Sequence, residues 1–458
     1  MVPSRLCTIA VARTSQMKTN LSSSRAAAIC LICVSCIACL SEASFAQQPL
    51  TSVTRGFALD MLSTVTNDIR KNYYDPKLHG VDWDAKIAQT KLLIDKAPTM
   101  DIALSYIATA VDSLNDSHTL FYPPYRSKES DFGFEYQIIG PDRCYITHVR
   151  PQTDAAAKGL KPGDEILTVN NYLVDRSNRW KMDYMFSVLR PQASVQLRIQ
   201  LPTDGSSREL QVNARITSRK NPRDLSWSWM RELDEERHSI RARFTELGDD
   251  VMVLKLPVFE YTNSQIGGMM ARARKHHTLI LDLRGNPGGD VDTLSDVLGA
   301  LFEKDVKIAD RVTRTNSKPW MAKSQRIVFT GKLIVLVDSD SASAAELLAR
   351  VVQLEKRGIV VGDHTSGAVM ESKFYRNQMG GDFLMFYGES ITHANLIMTD
   401  GHSIEHIGVT PDYEIIPTAQ DMANDRDPVL AKAAELAGVK LAPEEAGKMF
   451  PYEWTYEQ

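Results

Sequence analysis

The sequence predicts a multidomain α/β protein: a helical segment, a mostly β domain and an α/β core whose mixed sheet is covered by helices. With 458 residues, the chain exceeds what one ordinary hydrophobic core holds, so we expect several domains. Apolar residues recur at helical spacing up to residue 128, alternate as in strands up to residue 218, and then form apolar runs separated by helical patterns. The content of 43% hydrophobic and 24% charged residues is typical of globular proteins and excludes a disordered or fibrous chain.

Residues 1–46 are predicted to be a signal peptide. Basic residues precede the apolar run over residues 26–40, and Ser44 and Ala46 supply a small-x-small cleavage signal. The run is shorter than the roughly 20 residues that a membrane-spanning helix needs. We therefore expect export to the periplasm or the extracellular space, with no transmembrane span after cleavage.

Cysteine usage agrees with export. All six cysteines except Cys144 precede the predicted cleavage site, so the mature chain cannot form an internal disulfide. Cys33, Cys36 and Cys39 in the apolar run leave a lipid anchor open, but none follows a good lipobox, and we expect no anchor. The formal charge of −4 comes without a basic block, so no nucleic-acid partner is expected.

Residues 47–128 are predicted to be the helical segment. Apolar residues at helical spacing predict helices over residues 57–73, 84–95 and 99–114. Pro123 and Pro124 end this pattern.

Residues 129–218 are predicted to be mostly β. Two strands, a short Ala-rich helix, the turn "GLKPGD" and a third strand are followed by alternating runs over residues 195–201 and 210–216. This block resembles a PDZ domain, most of all in "GLKPGDEILTVNN". The resemblance implies that a peptide adds to a sheet edge and that backbone N–H groups of Phe132, Gly133 and Phe134 bind its terminal carboxylate. A PDZ-shaped spacer that binds no peptide is the alternative.

Residues 219–417 are predicted to be the α/β core. The apolar strands "DVMVLKLPVF", "TLILDLRG", "KLIVLVD" and "GIVVGD" are separated by helical patterns, which predicts a parallel or mixed sheet with helices on its faces. Reactive groups gather at the carboxyl ends of such strands, where "GNPGGD" and "SDSASAAE" lie. Residues 418–458 are predicted to be a helix and a tail, which cover either this core or a neighbouring copy.

Ser343 lies where a strand turns into a helix. There its hydroxyl either caps the helix or stands beside free backbone N–H groups, as a nucleophile does. Ser341, followed by Glu346, is the better candidate for the cap.

Four ordered motifs decide between these two roles of Ser343. The stretches "LILDLRGNPGGD", "VLVDSDSASAAELLA", "VVGDHTSGA" and "IEHIGVTPD", behind a PDZ-like block, resemble the carboxyl-terminal processing protease and tricorn superfamily of serine peptidases. The resemblance implies that Ser343 is the nucleophile and that the N–H groups of Ala344 and of Gly289 or Gly288 form the oxyanion hole. It implies no cofactor.

The resemblance also indicates which base activates the serine. Processing proteases carry a lysine where this chain has Ala368, and Lys373, an odd offset further along a strand, would point to the opposite face. The tricorn-like branch uses histidine instead, and Ser117 and His118 in "LNDSHTLF" match its Ser-His pair. Glu405 matches its glutamate, so we expect His118 to be the base, with Ser117 and Glu405 orienting it.

The segment "HSIEH" fits an inverted zinc-protease pattern, but that pattern needs a helix and glycines and a proline surround it, so we expect no metal site. Asp282, Arg284 and Asn286 are expected to shape the oxyanion loop without a catalytic role.

Together, these features predict an exported serine endopeptidase that acts on polypeptides, with a homo-oligomer left open. The alternative is a catalytically silent protein that binds peptides or other ligands on the same scaffold. It is favoured by Asp338 and Asp340, since extra carboxylates near the site disfavour an oxyanion.

Overall fold

The structure is a computed structural model that describes residues 49–124, 128–218, 241–380 and 384–454. The described residues from Leu50 onwards form one compact unit. The predicted signal peptide and residues 219–240 of the predicted core lie outside the described residues. Within the described ranges, no helix has both the length and the hydrophobicity needed to cross a membrane.

The three helices predicted for the N-terminal segment are present. Thr51 and Asp82 cap the first two through their side chains. Their buried faces pack against one another and against Tyr387 and Ile391 of a core strand, so this segment is fixed to the core. The helices and the strand after them are α1 (Ser52–Asn72), α2 (Trp83–Lys96), α3 (Met100–Asp112) and β1 (Leu120–Tyr122).

The mostly β part of the chain, residues 128–218, is called the β block here. It contains an antiparallel sheet in the order β3-β4-β5-β7-β8, in which β3 is an edge strand, and β2 pairs separately with β9. The predicted strand over residues 210–216 is divided at Ala214 into β8 and β9. The elements are β2 (Lys128–Asp131), β3 (Phe134–Ile139), β4 (Arg143–Val149), α4 (Asp154–Ala157), β5 (Glu165–Val169), β6 (Tyr172–Leu173), α5 (Arg179–Asp183), β7 (Ser194–Gln200), β8 (Ser207–Asn213) and β9 (Arg215–Ser218).

The core contains the predicted mixed sheet. Its order is β10-β11-β12-β15-β16-β19, parallel except for the antiparallel β10. A second, antiparallel sheet contains β1, β13, β14, β17 and β18 and joins the N-terminal segment to the core. The elements are β10 (Arg243–Leu247), β11 (Val251–Lys255), α6 (Asn263–Ala273), β12 (Thr278–Asp282), α7 (Val291–Gly299), β13 (Val306–Thr313), β14 (Ser317–Ala322), β15 (Lys332–Val337), α8 (Ala344–Leu354), β16 (Ile359–Gly362), β17 (Met370–Met379), β18 (Met385–Ile397) and β19 (Tyr413–Glu414).

Helices cover both faces of the mixed sheet. On one face, α6, α7 and α8 pack on the alternate residues of β12 and β15 represented by Leu281 and Val335. On the other face, Leu430 and Ala433 of the C-terminal helix pack on Ile280. The C-terminal residues therefore cover the core of their own chain. Their helices are α9 (Ala419–Ala423), α10 (Pro428–Leu436) and α11 (Pro443–Ala446).

Candidate active site

Two loops meet at the carboxyl edge of the mixed sheet, as predicted. The glycine loop follows β12, and the serine loop follows β15. A Cβ atom on Gly288 would lie 2.7 Å from the Cβ of Ser343, and Gly288 has φ +103°, so this position requires glycine. The buried side chain of Asn286 shapes the loop by accepting from the N–H of Gly288 at 2.8 Å and donating to Leu256 O at 2.7 Å.

Ser343 has an unusual backbone conformation. Its φ of 53° and ψ of −115° lie outside the ordinary regions, at a cost of about 1–3 kcal/mol that the surroundings must offset. The N–H of Ser343 is held by the carbonyl of Ala368 and by Glu346 Oε2, each at 3.0 Å. The Ser343 hydroxyl makes no capping bond to α8 and is half-buried. It is therefore free for a partner outside its own helix.

The side chain of Glu346 holds the backbone of the serine loop through hydrogen bonds. Its buried carboxylate also accepts from the N–H groups of Gly367 and Ala368 at 2.7 and 3.0 Å. Burial raises the pKa of Glu346 to about 7, and these hydrogen bonds oppose the rise. Glu346 thus ties the start of α8 to the segment after β16.

The prediction that Ser341 caps α8 is wrong. Its hydroxyl donates to Leu283 O at 2.9 Å and accepts from the N–H of Asp338 at 3.0 Å. The hydroxyl therefore joins the serine loop to the end of β12. Ser341 does not cap the helix because the chain turns once more before α8 begins, and Ser343 is the residue at the N-cap.

His118 reaches Ser343 from outside the mixed sheet. It lies between α3 and β1, and its Nε2 is 3.4 Å from Ser343 Oγ, although 225 positions separate the two residues. The half-buried ring has Nδ1 2.7 Å from Ser117 Oγ. Ser117 Oγ in turn donates to Glu405 Oε2 at 2.9 Å. Because the Ser117 hydroxyl donates its hydrogen bond to the carboxylate, it accepts a hydrogen bond from the N–H at Nδ1 of His118. The lone pair of Nε2 therefore faces Ser343.

Glu405 anchors this group of side chains. Its two oxygens also accept from the N–H of Ser117 at 2.9 Å and from the N–H of Val369 at 2.6 Å. Burial holds the pKa of His118 below its usual value, and the carboxylates of Glu405 and Asp116 oppose this only in part. The residues predicted as nucleophile, base and orienting groups are therefore all brought together.

The oxyanion donors predicted from the sequence lie beside Ser343. In the described ranges, the N–H groups of Ala344 and Gly289 have no hydrogen-bond partner. The N–H of Gly288, the other candidate, is engaged by Asn286. The arrangement thus favours Gly289 over Gly288 as the second donor.

The sequence also offered Lys373 as an alternative base and the "HSIEH" segment as a zinc pattern. Lys373 is exposed on β17. The "HSIEH" segment is a turn rather than a helix. No group of three or more His, Cys, Asp or Glu side chains suited to a metal occurs among the described residues. Cys144 is buried in β4, and burial raises its pKa far above the usual range for a thiol.

The acidic residues before Ser343 face the β block. Asp338 accepts from the N–H of Gly285 at 2.9 Å and from Gln137 Nε2 at 2.8 Å. Asp340 pairs with Arg179, and burial raises the pKa of Asp340 to about 7 against the opposing effect of that arginine. Both carboxylates thus have partners within the fold.

The predicted peptide-binding loop of the β block is folded tightly. Gly133 has φ +72°, and its N–H donates to Asp131 Oδ1 at 2.9 Å. The rings of Phe132 and Phe134 lie 6.4 Å apart, and Phe134 lies 6.2 Å from Tyr136. The outer edge of β3 is not paired with another described strand of the sheet.

Two functional features were missed in the sequence. The hydrogen bonds of Glu346 hold the backbone of Ser343, and Asp116 lies beneath His118. The capping-box spacing between Ser343 and Glu346 could have indicated the first. No sequence signal separates Asp116 from an ordinary turn residue.

Comparison with known proteins agrees with this geometry. A model of peptidase family S41 matches residues 250–415, and a model of the PDZ domain matches residues 125–200. The chain is 23% identical over 363 residues to carboxyl-terminal-processing peptidase 3, chloroplastic, of Arabidopsis thaliana, covering 76% of this chain. It is 24% identical over 279 residues to the tail-specific protease of Haemophilus influenzae, covering 56% of this chain. The matched regions span 66% and 38% of these two relatives.

Solved structures share the fold. Mature CPAF complexed with lactacystin superposes with a TM-score of 0.61 at 16% identity, covering 81% of this chain and 96% of that one. These findings confirm the fold class and the family resemblance predicted from the sequence. The chain therefore carries a PDZ domain and a peptidase family S41 domain, and carboxyl-terminal processing peptidases are among its relatives.

Proposed function

We propose that the chain is an exported serine endopeptidase in which Ser343 is the nucleophile and His118 the general base. One observation carries the proposal: the 3.4 Å approach of His118 Nε2 to Ser343 Oγ, with Nδ1 hydrogen-bonded through Ser117 to Glu405. Catalytic hydrogen bonds of this kind are often long before substrate binds.

The chemistry follows from the tautomer. His118 Nε2 takes the proton of the Ser343 hydroxyl while Oγ bonds to the carbonyl carbon of the substrate peptide. Collapse of the tetrahedral intermediate breaks the C–N bond, and the leaving amine receives the proton from Nε2. Water, deprotonated by the same imidazole, then hydrolyses the ester and regenerates the serine.

Charge develops in two places during these steps. The carbonyl oxygen becomes negative, and the N–H groups of Gly289 and Ala344 stabilise it without rearrangement. The imidazole becomes positive, and the carboxylate of Glu405 stabilises it through Ser117. The lysine absent at Ala368 is not needed, since imidazole titrates near neutral pH.

The PDZ domain has the role of binding or gating a polypeptide end. The edge of β3 that pairs with no other described strand offers a site for strand addition. The same strand contacts the serine loop, since Ser339 Oγ donates to Ile138 O. Binding of a peptide at β3 is thereby connected to the nucleophile.

Hydrolysis of an unfolded polypeptide tests the proposal. Wild-type protein incubated with casein should release fragments cut at internal bonds, and Ser343→Ala should release none. Ser366→Ala, which truncates an exposed serine in a neighbouring loop, is the matched control and should cleave as the wild type does. A folded wild-type protein that neither cleaves casein nor reacts with a fluorophosphonate would support the silent binding protein instead.

A further inference from the structure

Asp116 lies two positions before His118 and is only 6% exposed. Its Oδ1 accepts three hydrogen bonds, from the N–H of His118 at 2.8 Å, the N–H of Thr119 at 3.1 Å and Thr392 Oγ1 at 2.7 Å. This one oxygen joins the backbone that carries the imidazole to β18 of the core.

The other oxygen of the Asp116 carboxylate, Oδ2, has no comparable set of hydrogen bonds. Oδ2 of Asp116 is buried and makes no hydrogen bond of ordinary geometry among the described residues, although the Tyr73 hydroxyl approaches the carboxylate as a donor. Burying a carboxylate oxygen with so little hydrogen bonding is costly, and such groups in folded proteins call for a functional reason. Asparagine keeps an oxygen that can accept from the two backbone N–H groups, so holding the turn does not require the charge.

The charge faces His118. Around the imidazole, the carboxylates that act on its pKa are those of Glu405, from the segment after β18, and Asp116. On its other side, Asp116 faces Tyr73 and Tyr74 at the end of α1. Burial, with a further contribution from the Asp116 charge, raises the pKa of both phenols, so they stay neutral.

We propose that Asp116 is a positioning residue that fixes the backbone of His118 with one oxygen and, through its buried charge, stabilises the imidazolium formed when Ser343 loses its proton. The inference rests on the proposed function, because it needs His118 to act as a base. Asp116 itself touches neither substrate nor nucleophile and acts only through His118.

The test is the pH dependence of the rate at which a fluorophosphonate labels Ser343. Labelling needs neutral His118, so the midpoint of its acid limb reports the pKa of that group. Asp116→Asn keeps an acceptor for the backbone but removes the charge, so the midpoint should fall by about 0.5 pH unit or more. Asp421→Asn removes a similarly buried carboxylate elsewhere and should leave the midpoint unchanged.

A second variant should shift the midpoint in the opposite direction, and it tests the inference even if Asp116→Asn does not fold. Thr392→Val keeps the charge of Asp116 but removes one hydrogen bond that partly neutralises it. The carboxylate should then stabilise the imidazolium more strongly, so the midpoint should rise by about 0.3 pH unit.

An unshifted acid limb in folded Asp116→Asn, or in Thr392→Val if only that variant folds, overturns the inference while leaving the proposed function intact. A wild-type protein that is not labelled at any pH overturns both.

Discussion

In the candidate site, the half with the proposed nucleophile (the nucleophile half) and the half with the proposed base (the base half) are built differently. Ser343 and the glycine loop follow neighbouring parallel strands, β15 and β12, of one sheet. Ser117 and His118 come from the N-terminal segment, and Glu405, which holds them, lies 288 positions further along the chain. The first half is set by local backbone geometry, and the second depends on packing between distant segments.

This difference predicts different kinds of failure. Changes in the nucleophile half should remove activity by displacing atoms a few ångströms from Oγ. Changes in the base half should act through charge, tautomer and the stability of the packed N-terminal segment.

The largest effect is expected at the base itself. His118→Ala removes the acceptor of the Ser343 proton, so the rate of casein cleavage should fall by about 10⁴-fold or more. His402→Ala, which truncates an exposed histidine, is the matched control. Near wild-type turnover by a folded His118→Ala protein would show that another group acts as the base.

A glycine substitution tests whether the nucleophile half is as rigid as its contacts imply. Gly288→Ala places a Cβ atom 2.7 Å from the Cβ of Ser343, so the serine or the oxyanion loop must shift. Cleavage should slow by at least about 10²-fold, the usual effect of losing an oxyanion donor. Gly268→Ala adds a Cβ in open space and should change nothing. Full activity in Gly288→Ala would mean that the two loops are not in close contact in solution.

Glu405→Gln tests how much the charge of Glu405 contributes to the proposed base, because glutamine has nearly the same shape as glutamate. Glutamine can still accept from the N–H of Ser117, but the charge that stabilises the imidazolium is lost. We expect catalysis to fall by about 10-fold to 100-fold, less than for loss of the base. Steady-state rates on casein, with Glu414→Gln on exposed β19 as control, measure the effect. A loss as large as that in His118→Ala would assign Glu405 a direct role.

The smallest effect is one of stability, and it belongs to the base half. Burial and the nearby carboxyl of Asp68 raise the pKa of Glu389 in β18 to about 8 from 4.5. The folded state therefore binds more protons than the unfolded state between these two pKa values. As a result, the free energy of unfolding falls as pH rises through this range, by at most about 1.4 kcal/mol for each pH unit.

Glu389→Gln should flatten that decline, as urea unfolding between pH 5 and pH 8 would show at roughly these values. An equally steep decline in the variant would place the titrating group elsewhere.

Sequence reasoning succeeded where local pattern decides the outcome. The helices of the N-terminal segment and the mixed sheet were predicted, and so was the place of the serine loop at the carboxyl end of β15. The second sheet was not predicted, because the pairing of β13 with β18 joins strands far apart in the chain.

Within the site, sequence could not choose between Gly288 and Gly289. That choice depends on the direction of two N–H groups and on the Asn286 side chain. The same limit hid the burial of Asp116, which depends on packing against β18 and α1.

The central claim is that Ser343 is activated by the distant His118. Mass spectrometry of the protein after treatment with a fluorophosphonate tests it most directly, by locating the phosphonylated residue in the wild type and in His118→Ala. We expect one adduct on the peptide that contains Ser343, lost or strongly reduced in the variant. An adduct on another residue, or equal labelling of Ser343 without His118, would contradict the account.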